Sequence, residues 1–389
     1  EFTPVSIYVK VKKLFKDEVT FLFESVVNSS DGNFSYIIIG ARERVWHKDG
    51  KSFYKNENHD IKEIDKNPFN FLKNYYNNID KELYKNKGDE LGIGLIDGFI
   101  GNMGYDMVST FEPTLEKSMA DLKDDIEIAD CDLIRPKIVL VYSHKSSKLT
   151  IVTSMESMKE YIPEIQKKLE EPFIYKPLEK ATLLDDGKFE HTKEDFFEMI
   201  AKSKEMIRSG DVFQILMTNR YTQKAKIDNL SFYRMLRSKN PSPYVFLLEY
   251  EDFCIAGSSP EVMVRLTDNR ILLRPIAGTR KRGRTIAKDK EMEYELLNDP
   301  KEVAEHVMLI DLGRNDVGRV AATGTVEVTD KMRVEKYSHV MHLVSDVEAN
   351  LDDKYDMFDL FAATFTAGTM TGAPKIRAME LIASFEKLK

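Results

Sequence analysis

Cysteine is scarce: Cys131 and Cys254 are the two in 389 residues, far apart and without a ligand-spaced partner. That excludes a disulfide scaffold and a cysteine-built metal module, and it predicts a reducing, cytoplasmic setting. Long apolar runs are missing as well. The strongest, Ile138-Val139-Leu140-Val141-Tyr142, is strand-sized and far short of a membrane span. No signal segment is visible, and the chain opens on Glu1 rather than Met, so a trimmed N-terminus is expected. An excess of basic charge is lacking too: the formal net charge of -8 argues against a general nucleic-acid binder. There are no internal repeats or low-complexity tracts. What remains is 42% hydrophobic and 31% charged, a globular composition with material for large cores in one or two domains.

Three segments follow from the patterning. Residues 1–170 read as a first region. Val19–Ser25 and Phe34–Gly40 are strand-like around an Asp31-Gly32-Asn33 turn, Ile138–Tyr142 and Leu149–Val152 make a hairpin, and a helix is expected over 155–170. Residues 171–191, with Pro172, Pro177 and Asp185-Asp186-Gly187, read as a linker. Residues 192–389 open on a capped helix, Thr192 with Asp195 three residues on, whose stripe is Phe196, Phe197, Ile200 and Ile207. Strands are expected over Val212–Tyr221, with Phe213, Ile215, Met217 and Tyr221 on one face. Further strands are expected at Tyr244–Tyr250, Phe253–Ala256, Glu261–Leu266, Arg270–Arg274 and Gly324–Val328, joined mostly by short turns that imply antiparallel pairing. Val340–Val344 reads as strand or helix. Met357–Phe365 and the residues after Pro374 read as helices.

Five stretches could carry chemistry. Asp299-Pro300 opens a helix, with Val303, Val307 and Ile310 as its apolar face and Gly313 as a plausible stop, or one turn more through Arg314 and Asn315. Glu302 and Glu305 leave one side of it, as a capping box and dipole partners or as ligands for a hard dication. Glu261 follows Gly257-Ser258-Ser259-Pro260 and is either an edge acid in water or a buried general acid. Pro275–Arg284 sets four cations around two glycines, an anion cradle, a solvated charge run or a small nucleic-acid patch. Tyr337–His342 carries His342, either structural or catalytic. Gly368–Lys375 is a small-residue loop at a helix start, able to bring backbone N–H groups to a ligand or simply a capped loop.

In chain order, Ser-Pro-Glu, Pro-Ile-Ala-Gly-Thr-Arg, the Ala304–Asp316 run, Val-Glu-Lys-Tyr-Ser-His-Val-Met-His and Gly-Thr-Met-Thr-Gly-Ala-Pro-Lys closely resemble the chorismate-binding enzyme family, and within it the anthranilate synthase branch. The likeness is strong from Thr192 onward and weaker before it. It implies an α+β fold of large antiparallel sheets flanked by helices around a central cleft. It further implies Mg²⁺ at Glu302 and Glu305, Glu261 as the acid for the departing C4 hydroxyl, and His342 at the pyruvate-elimination step. Thr369 and Gly368 would form the substrate loop, and Ala277, Gly278 and Thr279 would line the same pocket. Relatives that add water carry Lys where Gln214 stands, and Gln cannot act as that base. Aminodeoxychorismate synthases, the alternative product branch, usually carry a nucleophilic Lys where Ala277 stands.

The resemblance also implies a glutamine amidotransferase partner supplying ammonia, and tryptophan as feedback inhibitor bound by 1–170 together with the Asn240–Tyr244 turn. Glu24 and Ser25 with Asn240, Pro241, Pro243 and Tyr244 match the sensing elements, and a strand end packed on a proline turn is the plain alternative. The family continues past the equivalent of Lys389 with further strands, a substrate-binding Arg and more metal-binding acids. A C-terminally incomplete catalytic region is therefore expected, either inactive as it stands or part of a longer protein, with a tryptophan-binding module that lacks catalysis as the other alternative.

Overall fold

The computed structural model describes residues 2–26, 33–337 and 339–388. They form two compact units, each gathered from separate stretches: Glu1–Met107, Ile126–Asp186 and Gln223–Pro260 in the first, and Val108–Asp125, Gly187–Thr222 and Glu261–Lys389 in the second. Chain order and compactness thus divide the molecule differently. Residues 223–260 lie beyond the 171–191 linker, yet Tyr244–Glu249 ladders onto Thr20–Glu24 of the first unit.

The first unit is built on a nine-stranded antiparallel sheet. Cys254–Ser259, Tyr244–Glu249, Thr20–Glu24 and Phe34–Lys48 run side by side. Cys131–Ser143 pairs along the whole of Phe34–Lys48 and forms the expected hairpin with Lys148–Val152. Alternate residues feed two cores. Leu22, Ile37, Ile39, Leu140 and Leu247 pack on one face with Val5, Ile7 and Tyr8 of the Pro4–Lys12 helix, whereas Phe21, Ile38, Val139 and Leu248 pack on the other. Both faces are covered, which is why these strands read as continuous apolar runs rather than as alternation. The Asp31-Gly32 part of the expected turn lies outside the described residues.

The second unit has a five-stranded antiparallel sheet whose centre is Val340–Asn350, so that segment is a strand and not a helix. It pairs with Arg270–Leu273, Ile276–Lys281 and Glu327–Lys336. The Pro300–Gly318 helix packs on this sheet, placing Ile310 and Val317 against Ile271, Val347 and Leu360.

Four expectations need correction here. The Pro300–Gly318 helix takes the longer of its two expected ends, but its buried face is His306, Leu309, Ile310, Gly313, Asp316 and Val317, with Val307 left 38% exposed. Two polar residues sit on that face with their own partners, so hydropathy alone points about one residue off. The Lys193–Arg208 helix likewise buries Met199 and Ser203 and leaves Phe197 exposed. Strand structure in 212–221 is confined to Gln214–Ile215, laddered on Gly372–Ala373, and the start of Tyr221–Thr222, laddered on Lys188–Phe189, while Phe213 and Leu216 add single backbone bonds to Ala373 and Thr371. Its expected apolar face is also broken: Val212 is buried against Ala378 and Leu381 with Ile215 packed on the same cluster, while Phe213 is 77% exposed. Finally, the strand expected from Glu261 begins at Arg265, which leaves Glu261 in the lead-in to the strand.

Candidate active site

Asp299 caps the Pro300–Gly318 helix, accepting from the backbone N–H of Lys301 at 2.9 Å and of Glu302 at 3.3 Å, with Pro300 in the first turn. That cap fixes where Glu302 and Glu305 leave the helix. Arg280 reaches across from Ile276–Lys281, donating through Nη1 to Glu302 Oε1 at 2.9 Å and through Nη2 to Asp299 at 2.6 Å. The other oxygen of Glu302, Oε2, lies beneath Gly278: a Cβ on Gly278 would stand 3.1 Å from it. Gly278 is the bulged residue between Ala277 and Thr279, with φ +67°, so glycine is what this close approach requires.

The bulge also turns the Gly278 carbonyl onto His342. His342 Nδ1 lies 3.0 Å from that oxygen and 3.1 Å from Thr279 Oγ1. A carbonyl oxygen only accepts, so this geometry assigns the proton to Nδ1 and leaves the lone pair on Nε2. Tyr337 meets the His342 ring edge-on at 5.5 Å, and its hydroxyl is held by Glu335 at 2.8 Å. Glu302, Gly278, Thr279 and His342 therefore form one cluster, with Ala277 buried behind it.

Glu261 and Thr369 form a second cluster further along the same helix. Both line a small cavity of about 30 Å³ with Leu309, Leu312, Gly313 and Asp316. Seven residues separate Glu302 from Leu309, about 10 Å along the axis. Burial in this largely apolar wall pushes the Glu261 carboxyl up to about 7, and the Thr369 hydroxyl offsets part of the rise. Gly368 is in van der Waals conflict with any larger residue, because a Cβ there would stand 1.9 Å from Leu312 Cδ2. Gln214 pairs with Ala373 just beyond this loop, and its buried Oε1 has no hydrogen-bond partner among the described residues. The two clusters share the Pro300–Gly318 helix as their common support.

Glu302 and Glu305 satisfy the minimum for Mg²⁺, which binds through one or two carboxylates, keeps several waters and takes the rest from its substrate. One Glu302 oxygen and the Glu305 carboxylate have no other partner among the described residues. No third Asp, Glu, His or Cys converges on them there.

The expected sensing residues gather in the first unit. Glu24 ends the Thr20–Glu24 strand opposite Val245, and Asn240 ends the Asn229–Lys239 helix. Val26 N–H donates to Ser242 O at 3.2 Å, joining the strand that carries Glu24 and Ser25 to the Asn240–Tyr244 turn through Pro241 and Pro243. The Glu24 carboxylate is already engaged, accepting from the Tyr233 hydroxyl and paired with Arg237 at 3.0 Å. Burial nevertheless holds its pKa above the ordinary value against both partners.

Sequence reasoning passes over Arg280 as a specific partner, and it misses Tyr233, Arg237, Asp316 and Lys375. Arg280, Asp316 and Lys375 stand inside the quoted motifs, so a signal is present in Thr-Arg, Arg-Asn-Asp and Ala-Pro-Lys. Tyr233 and Arg237 come from a helix whose pattern carries no such mark.

The chain matches the chorismate binding enzyme family over residues 22–389. It is 40% identical to anthranilate synthase component 1 of Aquifex aeolicus, an alignment covering 99% of this chain and 78% of that protein. It is 38% identical to the same component from Neisseria meningitidis serogroup B, covering 100% and 79%. Among solved structures, anthranilate synthase component I from Streptococcus pneumoniae superposes with a TM-score of 0.77 at 30% identity, covering 94% of this chain and 80% of that one. A menaquinone-specific isochorismate synthase from Escherichia coli shares the fold, with a TM-score of 0.67 at 14% identity and coverage of 100% and 76%.

Proposed function

This chain belongs to the chorismate-binding enzyme family, and we propose that it is the synthase component of an anthranilate synthase. It would convert chorismate and ammonia to anthranilate, pyruvate and water. The observation that carries this reading is Glu261: a carboxyl buried beside Thr369 and held protonated up to about pH 7 can protonate a departing hydroxyl. Glu261 delivers its proton to the C4 hydroxyl oxygen, which leaves as water while ammonia adds at C2. His342, with Nδ1–H donated to Gly278, presents Nε2 to take the C2 proton as the enolpyruvyl group departs and the ring becomes aromatic. Mg²⁺ held by Glu302 and Glu305 would grip the ring carboxylate and draw electron density from the ring. Arg280 fixes Glu302 for that task. Gln214 cannot activate water and Ala277 offers no nucleophile, so ammonia is left as the attacking group.

The ammonia would come from a glutamine amidotransferase partner. Burial pushes the thiols of Cys131 and Cys254 up, the latter to about 11, so neither is poised as a glutaminase nucleophile. Tryptophan would bind at Glu24, Ser25 and the Asn240–Tyr244 turn, its ammonium taking the place of Arg237 on Glu24. Among the described residues no helix is long and apolar enough to cross a membrane.

The test is product identity. The full-length protein with chorismate, ammonium and Mg²⁺ is expected to yield fluorescent anthranilate and pyruvate, and Glu261→Gln to lower kcat by roughly 10²–10⁴-fold. Accumulation of an aminated, non-aromatic product retaining the enolpyruvyl group would overturn the reading. Calorimetry with tryptophan showing neither heat nor competition would remove the regulatory part alone.

A further inference from the structure

Lys375 is 7% exposed, an unusual place for an ammonium, at the start of the Lys375–Phe385 helix. Its three N–H groups are all committed. Nζ lies 2.8 Å from Asp316 Oδ2 and donates to the carbonyls of Thr364 at 3.0 Å and Thr366 at 3.2 Å. An ammonium with every donor engaged and a carboxylate beside it is not available as a base or a nucleophile. Its contacts instead draw three separated places together: the Pro300–Gly318 helix through Asp316, the end of the Met357–Thr364 helix through Thr364, and the loop beyond it through Thr366. That loop goes on to Gly368 and Thr369. Asp316, at the other end of the tie, lines the same small cavity as Glu261 and Thr369.

We propose that Lys375 is a positioning residue: anchored on Asp316, it holds the 364–371 loop by its carbonyls and so keeps Thr369 in the wall of the cavity that it shares with Glu261. The inference rests on Glu261 and Thr369 working at the reaction centre. The anchor itself is firm. Asp316 is as buried as Lys375, and Arg319 and Glu112 are the other charged groups whose fields reach the pair. Both members lose their water on folding, so each is satisfied by the other and by the loop. The loop has little other freedom. Met370 and Thr371 N–H groups bond back to Ala367 and Gly368, and Leu216 N–H donates to Thr371 O at 2.8 Å. Releasing Lys375 frees the loop at its start, which those bonds do not hold.

A double-mutant cycle reads this directly. Lys375→Met is expected to lower kcat for anthranilate formation by roughly 10–100-fold, the scale of an ångström-sized misplacement, with KM for chorismate changed less than about threefold. Added to Thr369→Ala, it is expected to cost little more, since the hydroxyl it positions is already gone. Asp316→Asn keeps the volume and an acceptor oxygen, so it should show a smaller kcat loss, again absorbed by Thr369→Ala, even where Lys375→Met does not fold. Losses that multiply in the Asp316→Asn and Thr369→Ala pair, or a rise in KM at unchanged kcat, would overturn the proposal. An active Glu261→Gln variant would instead overturn the proton-donor reading, and the cycle would still report whether Lys375 acts through Thr369.

Discussion

At the scale of single residues, Glu261 trades stability for a usable proton. Its folded pKa of about 7 lies above the ordinary 4.5 because burial penalises the carboxylate. Below pH 4.5 both folded and unfolded chains carry the proton and nothing is lost. Between 4.5 and 7 the unfolded chain releases it while the folded chain keeps it, so stability falls as pH rises, by at most about 3 kcal/mol in all. Glu261→Gln does not ionise. It is expected to be nearly neutral for stability at pH 4.5 and clearly more stable than the parent at pH 8, as denaturant titrations at the two values would show. Equal stabilities at pH 8 would mean that the site hydrates the carboxylate. Gly278 gives a second expectation at this scale. An alanine there must hold φ +67° and press on Glu302 Oε2, so Gly278→Ala should destabilise by about 1 kcal/mol or more and weaken Mg²⁺-dependent turnover, as thermal melts and Mg²⁺ titration would show. The motifs alone single out Glu261, His342 and Gly278. They do not say that Leu309 and Leu312 of one motif wall in Glu261 of another, or that the Gly278 carbonyl fixes the His342 tautomer, because each contact joins motifs far apart in sequence.

At the scale of the element, the Pro300–Gly318 helix acts as a ruler. Its first turns hold Glu302 and Glu305, its middle lines the Glu261 cavity, and its last turn supplies Asp316 to Lys375. The start of this helix is legible in the sequence, since Asp-Pro is a local cap signal. Its buried face is not: His306 is fully buried against Ser345 Oγ at 2.7 Å, and Asp316 against Lys375, and no hydropathy pattern assigns a histidine and an aspartate to a core. The segment Val212–Tyr221 misleads for a related reason, because alternation describes a face but not whether a neighbour exists to ladder with it. The cap carries a prediction. Asp299 caps the turn that carries Glu302 and also holds Arg280, so Asp299→Ala loosens both the cap and the guanidinium that fix Glu302. The Mg²⁺ concentration for half-maximal activity is then expected to rise roughly tenfold, as loss of a residue that orients a metal ligand does, and Mn²⁺ binding followed by electron paramagnetic resonance should weaken in step. Unchanged binding of both ions would detach Glu302 from the metal.

At the scale of the whole molecule, folding order and chain order part company. Thr20–Glu24 is sandwiched in its sheet between Phe34–Lys48, nearby in sequence, and Tyr244–Glu249, more than two hundred residues later. Val245, Leu247 and Tyr233 complete one core, and Leu248 and Tyr250 the other. Each expected tryptophan contact divides in the same way, with Glu24 and Ser25 on the early segment and Asn240–Tyr244 on the late one. A reading that cuts at a linker sees composition and turn residues, and a strand returning from beyond the linker leaves no trace in either. The consequence is testable with a fragment of residues 1–170. It would expose the Thr20–Glu24 edge and the apolar side chains that Val245, Leu247 and Leu248 cover, and would leave Glu24 without Tyr233 and Arg237. The fragment is expected to lack a cooperative thermal transition, to aggregate through the open edge, and to give no heat with tryptophan under conditions where the whole chain does. A cooperatively melting fragment that binds tryptophan would show that 223–260 contributes neither to that core nor to that site.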